Sequence, residues 1–151
     1  MNNQNPINKP NSGTTSIGMD GNLAALLSYL IGIIGIIVLI TEKENKFAKF
    51  HALQALLFHV SFAIIFVTVF ILLFVLGFLS VAVSAALGDA GAVIGVILSI
   101  VLMIVWFVLV VVGPIAIIGG NIYSAIQAYN GKWFKIPIVG KITAKILGLT
   151  I

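Results

Sequence analysis

The sequence predicts an all-α integral membrane protein. It has three transmembrane helices, the second and third of them long, and a short cytoplasmic interfacial helix at the C-terminus. Three observations carry this prediction. Of the 151 residues, 61% are hydrophobic and only 8% charged, against about 45–50% and about 25% in an ordinary soluble domain. The apolar residues fall into uncharged runs of membrane-crossing length. The basic residues, all eight of them lysine, gather in two clusters that one topology brings to the same face of a bilayer.

Three segments follow. Residues 1–21 form a disordered polar tail, 22–130 the transmembrane helical domain, and 131–151 a basic amphipathic interfacial tail. The first segment is rich in Asn, Ser and Thr. It lacks the basic stub and short apolar core of a secretory signal, so it reads as a retained tail. Leu23 to Ile40 then supplies 18 uncharged residues, about 27 Å of helix and close to the thickness of a bilayer core, with Asp20 as its N-cap. Thr41-Glu42-Lys43-Glu44 has the spacing of a capping box that would start the next helix. Phe47, Phe50, His51, Gln54 and Phe58 share one face of that helix.

Ala52 to Leu87 is 36 residues without a carboxylate or lysine, about 54 Å if helical. That is long for one crossing and short for two. Lysine placement decides. Three crossings put seven lysines on one side and Lys9 on the other, whereas four divide them five to three. The positive-inside rule therefore favours three, with the N-terminus outside and the C-terminus cytoplasmic, in a bacterial plasma membrane. Gly88-Asp89-Ala90-Gly91 makes the outside turn. The third crossing runs from Val93 to Ile118, with a kink expected at Gly113-Pro114. Gly119-Gly120 closes its lipid-buried part, Asn121 to Tyr129 continues it with a polar face, and Asn130-Gly131 caps it.

The same residues exclude most chemistry. There is no cysteine and no arginine, so thiolate catalysis, disulfides and bidentate phosphate recognition are absent. His51 and His59 stand eight residues apart with no second ligand pair, so no metal site is expected. Phosphate-binding and dinucleotide fingerprints are missing, and the predicted crossings hold no Asp, Glu, Lys or Arg to serve as an ion relay. Neither enzymatic activity nor a cofactor is expected. The net charge of +4 is assigned to an anionic inner leaflet rather than to nucleic acid.

Two groups of residues remain as candidate sites. His51 and Gln54 lie one turn apart, at a depth that would face Tyr123, Gln127 and Asn130 near the cytoplasmic end of the third helix. This polar cluster is either an interhelical clamp or a vestibule that touches a substrate or partner. Lys132, Trp133, Phe134, Lys135, Lys141 and Lys145 form a lipid-facing basic and aromatic anchor, with the aromatic pair at headgroup depth. Gly91, Gly95 and Ser99, and more briefly Ser28 and Gly32, make small-residue faces suited to close helix packing or self-association. Tyr29 and Trp106 fall mid-crossing and are read as packing residues.

Three strings together carry a family resemblance: Asn22-Leu23-Ala24-Ala25-Leu26-Leu27-Ser28-Tyr29, Lys46-Phe47-Ala48-Lys49-Phe50-His51-Ala52-Leu53-Gln54-Ala55, and Tyr129-Asn130-Gly131-Lys132 followed by Ile136-Pro137-Ile138-Val139-Gly140. Over residues 18–147 the chain resembles small bacterial and archaeal multi-pass membrane proteins of unknown function, related to the chloroplast inner-envelope protein-import component of the Tic complex. The resemblance implies a non-enzymatic accessory or scaffold subunit linked to protein translocation. Its alternative is a small homo-oligomeric channel or transporter. Expected partners are membrane lipids and either an unknown membrane protein or a second copy.

Overall fold

The computed structural model describes residues 13–150. Among them, apart from one isolated bridge between Thr14 and Asp20, all regular structure is helical: α1 (Gly21–Leu30), α2 (Gly32–Thr41), α3 (Lys46–Ala86), α4 (Gly88–Phe107), a π-helical turn (Val108–Val112), α5 (Gly113–Tyr129) and α6 (Val139–Ile146). The chain divides into two compact units. One takes in the chain up to Val60 and again from Ile118 onward, and the other is Ser61–Ile117.

In the first unit, the expected first crossing is two short helices that double back. Ile31 leaves the helix at φ −129°, ψ 93°. Its N–H still bonds Leu27 O at 2.7 Å, while its own carbonyl accepts from Ile34 N at 2.9 Å, so the break leaves these backbone groups paired. Gly35 permits the return, because a Cβ there would stand 3.2 Å from Ser28 O. Further down, Ala24 and Val38 bury together with Ala48 and Ala52 of α3. Each arm has ten residues, about 15 Å, half of what a crossing needs.

The open end of this hairpin is tied shut. Glu42 accepts from Ser16 N at 2.7 Å and from the Ser16 hydroxyl at 3.1 Å, and Asn45 Nδ2 donates to Gly13 O at 2.6 Å. The start of α1 therefore lies beside the end of α2. This differs from the expected single uninterrupted helix over Leu23 to Ile40. The first twelve residues of the expected polar tail lie outside the described residues. Residues 13–20 form a turn closed by Thr15 N to Met19 O at 2.8 Å, not a disordered extension.

The capping pattern also differs. Asp20 caps α1 as expected, accepting from Asn22 N and Leu23 N. The Thr41–Glu44 box does not form, because Thr41 is still inside the last turn of α2 and its hydroxyl bonds back to Ile37 O at 2.7 Å. Glu42 takes the N–H groups of Glu44 and Asn45 instead, and Asn45 Oδ1 accepts from Ala48 N at the start of α3. Burial pushes the Glu42 carboxyl up, but the N–H groups of Asn45, Ser16 and Glu44 and the Ser16 hydroxyl outweigh it. They hold it below the ordinary value of 4.5.

The last turns of α5 return to the first turns of α3. Asn121 Nδ2 donates to His59 Nε2 at 3.1 Å, and His59 Nδ1 bonds Ala55 O at 2.7 Å. The expected cap at Asn130-Gly131 forms, with Gly131 at φ +73° and bonds from Gly131 N to Ala128 O and from Lys132 N to Gln127 O.

In the second unit, the remainder of α3 meets α4 through the single residue Leu87, followed by Gly88 at φ +59°. Gly91 sits so close that a Cβ would meet Ser84 O at 2.6 Å. Of the small-residue face read from the sequence, Gly91 and Gly95 lie against Ser84, while Ser99 is exposed. Phe70 and Trp106 stack edge to face at 5.3 Å. At the expected kink site, a π-helical turn stands just before Gly113-Pro114, where Pro114 has no N–H to donate. Helix α3 and the helical run Gly88–Tyr129 are the two helices of the described chain long and apolar enough to cross a membrane.

Candidate functional site

The first unit is held together by buried polar side chains centred on α3. His51 and Gln54 are fully buried, and Tyr29 on α1 is 2% exposed. The Tyr29 hydroxyl lies 3.0 Å from His51 Nδ1 and accepts from Gln54 Nε2 at 2.5 Å. His51 Nε2 reaches Lys132 O at 3.1 Å. A carbonyl only accepts, so Nε2 carries the proton, and the neutral ring then takes the Tyr29 proton at Nδ1. Gln54 completes the arrangement: Nε2 also donates to Phe134 O at 3.1 Å, and Oε1 accepts from Ile136 N at 3.2 Å. One amide side chain thus pairs with an extended backbone segment as a neighbouring strand would.

Around this clasp the fit is close. Phe47, Phe50 and Tyr29 all place their rings edge-on to His51, with centroids 4.6, 5.1 and 5.8 Å away. A Cβ on Gly140 would stand 2.6 Å from Gln54 Oε1 and 2.6 Å from Lys135 Cβ, so only glycine fits where α6 begins. Just before it, Ile138 adopts φ 68°, ψ −63°, the strained γ-turn conformation, closed by Val139 N to Pro137 O at 2.8 Å.

The sequence pattern of the magnetosome magnetite crystal formation proteins (MamF/MmsF) matches residues 14–143, nearly the whole described chain. The chain belongs to that family. It is 29% identical over 131 residues to a UPF0132 membrane protein of Archaeoglobus fulgidus, covering 86% of this chain and 98% of that protein. A UPF0132 membrane protein of Methanocaldococcus jannaschii is also 29% identical over 131 residues, covering 86% of this chain and 72% of its own. A second one from that organism is 52% identical over 46 residues, which is 30% of this chain and 42% of the other. No solved structure matches. The MamF/MmsF family, rather than the chloroplast import component, is the frame these comparisons supply, and this is a membrane protein.

In this MamF/MmsF family member, the expected polar cluster comes together only in part. His51 and Gln54 are joined through Tyr29 and the 132–136 backbone, not through α5 side chains. Tyr123 is exposed and lays its ring against Phe134 at 5.2 Å. Asn130 is exposed at the helix end, and the buried Oε1 of Gln127 accepts no hydrogen bond. The reason is spatial: the extended 132–136 segment lies against α3 and supplies the partners expected from α5.

Of the expected lipid anchors, Lys132, Lys141 and Lys145 are exposed and Lys135 is half-buried. The aromatic pair is half-buried. Trp133 packs on Phe47 and Phe50 at 5.2 and 5.4 Å, and Phe134 packs on Tyr123. Tyr29 is the site residue the sequence reading missed. Its signal was the pairing of a hydroxyl-bearing aromatic with His and Gln in the strings that carry the family resemblance, which a helix drawn straight through Ile31 places out of reach. Among the described residues no group of three His, Cys, Asp or Glu could hold a metal ion.

Proposed function

We propose that this chain is a non-enzymatic scaffold subunit of the bacterial plasma membrane that works by packing with other membrane components, with both described ends on the cytoplasmic side. One observation carries the reading. The buried donors and acceptors of the Tyr29–His51–Gln54 clasp are all spent inside the chain, while the two membrane-length helices leave their apolar side chains outward, as at Ile64, Phe74, Met103 and Phe107. Chemistry on a solute requires polar groups facing an accessible space. Here they fasten helices and a loop.

The family's description names magnetite crystal formation. A side-chain template for iron would gather carboxylates or imidazoles, and the described residues hold no such group. The scaffold reading assigns any contribution of this chain to a mineral-forming membrane to the organisation of that membrane and its proteins.

Extraction in a mild detergent followed by mass determination tests the scaffold reading. A complex containing a larger membrane partner is expected. A closed homo-oligomer that conducts ions in liposomes would replace the reading with a channel. For the topology, Ile17→Cys and Lys145→Cys should react with an impermeant reagent from the same compartment. Reaction from opposite compartments overturns the shared side.

A further inference from the structure

We propose that the outer face of α6 is a docking surface for an anionic lipid leaflet. The helix has its rotation fixed by its inner side: Gly140, Thr143 and Ala144 are buried, and Gly140 lies against Gln54 and Lys135 with no room for a side chain. At 100° per residue this turns Ile142 and Ile146 outward in one row, 47% and 60% exposed, and Ile138, just before the helix, is 73% exposed. Lys141 and Lys145 stand one turn apart in the row beside it, both exposed.

That combination selects the surroundings. A helix facing water would not present two isoleucines in line with a third exposed at its start, and one sunk in hydrocarbon would not carry two ammonium groups. The boundary between headgroups and acyl chains accommodates both. Charge then selects the lipid. From Gly131 to Thr150 the chain holds four lysines and no carboxylate. Elsewhere in the unit the Glu42 carboxylate is occupied by Ser16, Glu44 and Asn45, so it does not neutralise the α6 lysines. With lysine point charges and no arginine fork, the surface suits the diffuse potential of a leaflet better than one bound phosphate group.

The absence of cysteine makes the test direct. The full chain carrying Ile142→Cys with a nitroxide label is reconstituted into phosphatidylcholine vesicles with and without phosphatidylglycerol. The label should collide with oxygen in preference to a water-soluble nickel complex, and should move deeper when phosphatidylglycerol is present. Adding Lys141→Gln and Lys145→Gln should remove the dependence on lipid charge, by about fivefold in lipid preference for each lysine, with helicity unchanged. Raising the salt concentration should shrink the same response. A label equally open to nickel in both vesicles overturns the proposal. So does shielding that requires a co-purified protein or a second copy, which would assign the face to protein contact. Neither outcome bears on whether a larger partner co-purifies, so the scaffold reading stands or falls separately.

Discussion

The two units of this protein are built on opposite principles. In the first, specific polar bonds decide the arrangement: Tyr29, His51, Gln54, Glu42 and Thr143 are almost wholly buried, each with a hydrogen-bond partner. In the second, burial is confined to Leu73, Ser80 and Gly91, the serine hydroxyls bond back to their own helix, and Asp89 is the one charged residue in Ser61–Ile117. The first unit should be sensitive to single polar or steric changes. The second should respond mainly at points of close backbone approach.

The sharpest way to break this contrast is through glycine. Gly140→Val forces a branched side chain against Gln54 Oε1 and Lys135, and is expected to cost about 3 kcal/mol. Gly77→Ala, in a helix with nothing within 4 Å of the added Cβ, should stabilise by up to about 1 kcal/mol. Denaturation of the detergent-solubilised chain followed by circular dichroism compares them. Equal effects would erase the distinction between the units.

Next in size is Gln54→Leu, which strands Phe134 O and Ile136 N and should cost about 2 kcal/mol. Ser99→Ala in the second unit, which loses only a bond to Val96 O, should stay within about 0.5 kcal/mol. Ile138→Gly relieves a left-handed φ of 68° and should raise stability by about 1 kcal/mol, while weakening any lipid contact of α6.

The smallest effect is set by pH. The Glu42 carboxyl is held below 4.5 in the folded chain, so its contribution is complete above that value and disappears as the pH falls through its folded pKa. A melting temperature measured against pH should decline there, and Glu42→Gln should flatten the decline. An unchanged slope in that variant would remove Glu42 as the cause.

Much of the second unit was legible in the sequence because its elements answer to local rules. Hydrophobic runs specify long helices, Gly88 specifies the turn, and Pro114 specifies the disturbed hydrogen bond. The cap at Gly131 was legible for the same reason. The hairpin was not. Leu23 to Ile40 contains no charge and no proline, so nothing local marks Ile31 as a break. The fold-back is decided by the approach of Gly35 to Ser28 and by the tie between Ser16 and Glu42, 26 residues away.

Half of the clasp was legible. His51 and Gln54 stand out as polar residues in apolar company, but their partners are a tyrosine across the hairpin and three backbone groups of the 132–136 segment, and side-chain chemistry does not announce backbone partners. Trp133 and Phe134 stand out in the sequence as an aromatic pair, but their stacking on Phe47, Phe50 and Tyr123 joins residues far apart in the chain, which no local pattern marks.

The break at Ile31 also solves an electrical problem. Aligned peptide dipoles leave a partial negative charge at the C-terminus of α1 and a partial positive charge at the N-terminus of α2. These two ends adjoin at the hairpin tip, where they cancel, so the most apolar part of the hairpin holds no net charge. The other two ends, again of opposite sign, adjoin at the mouth. There the Asp20 carboxylate accepts from the first N–H groups of α1, and the Lys49 ammonium donates to Glu42 O at the end of α2 at 3.0 Å. The hairpin thus behaves as an electrically closed element whose charges are all managed at one end.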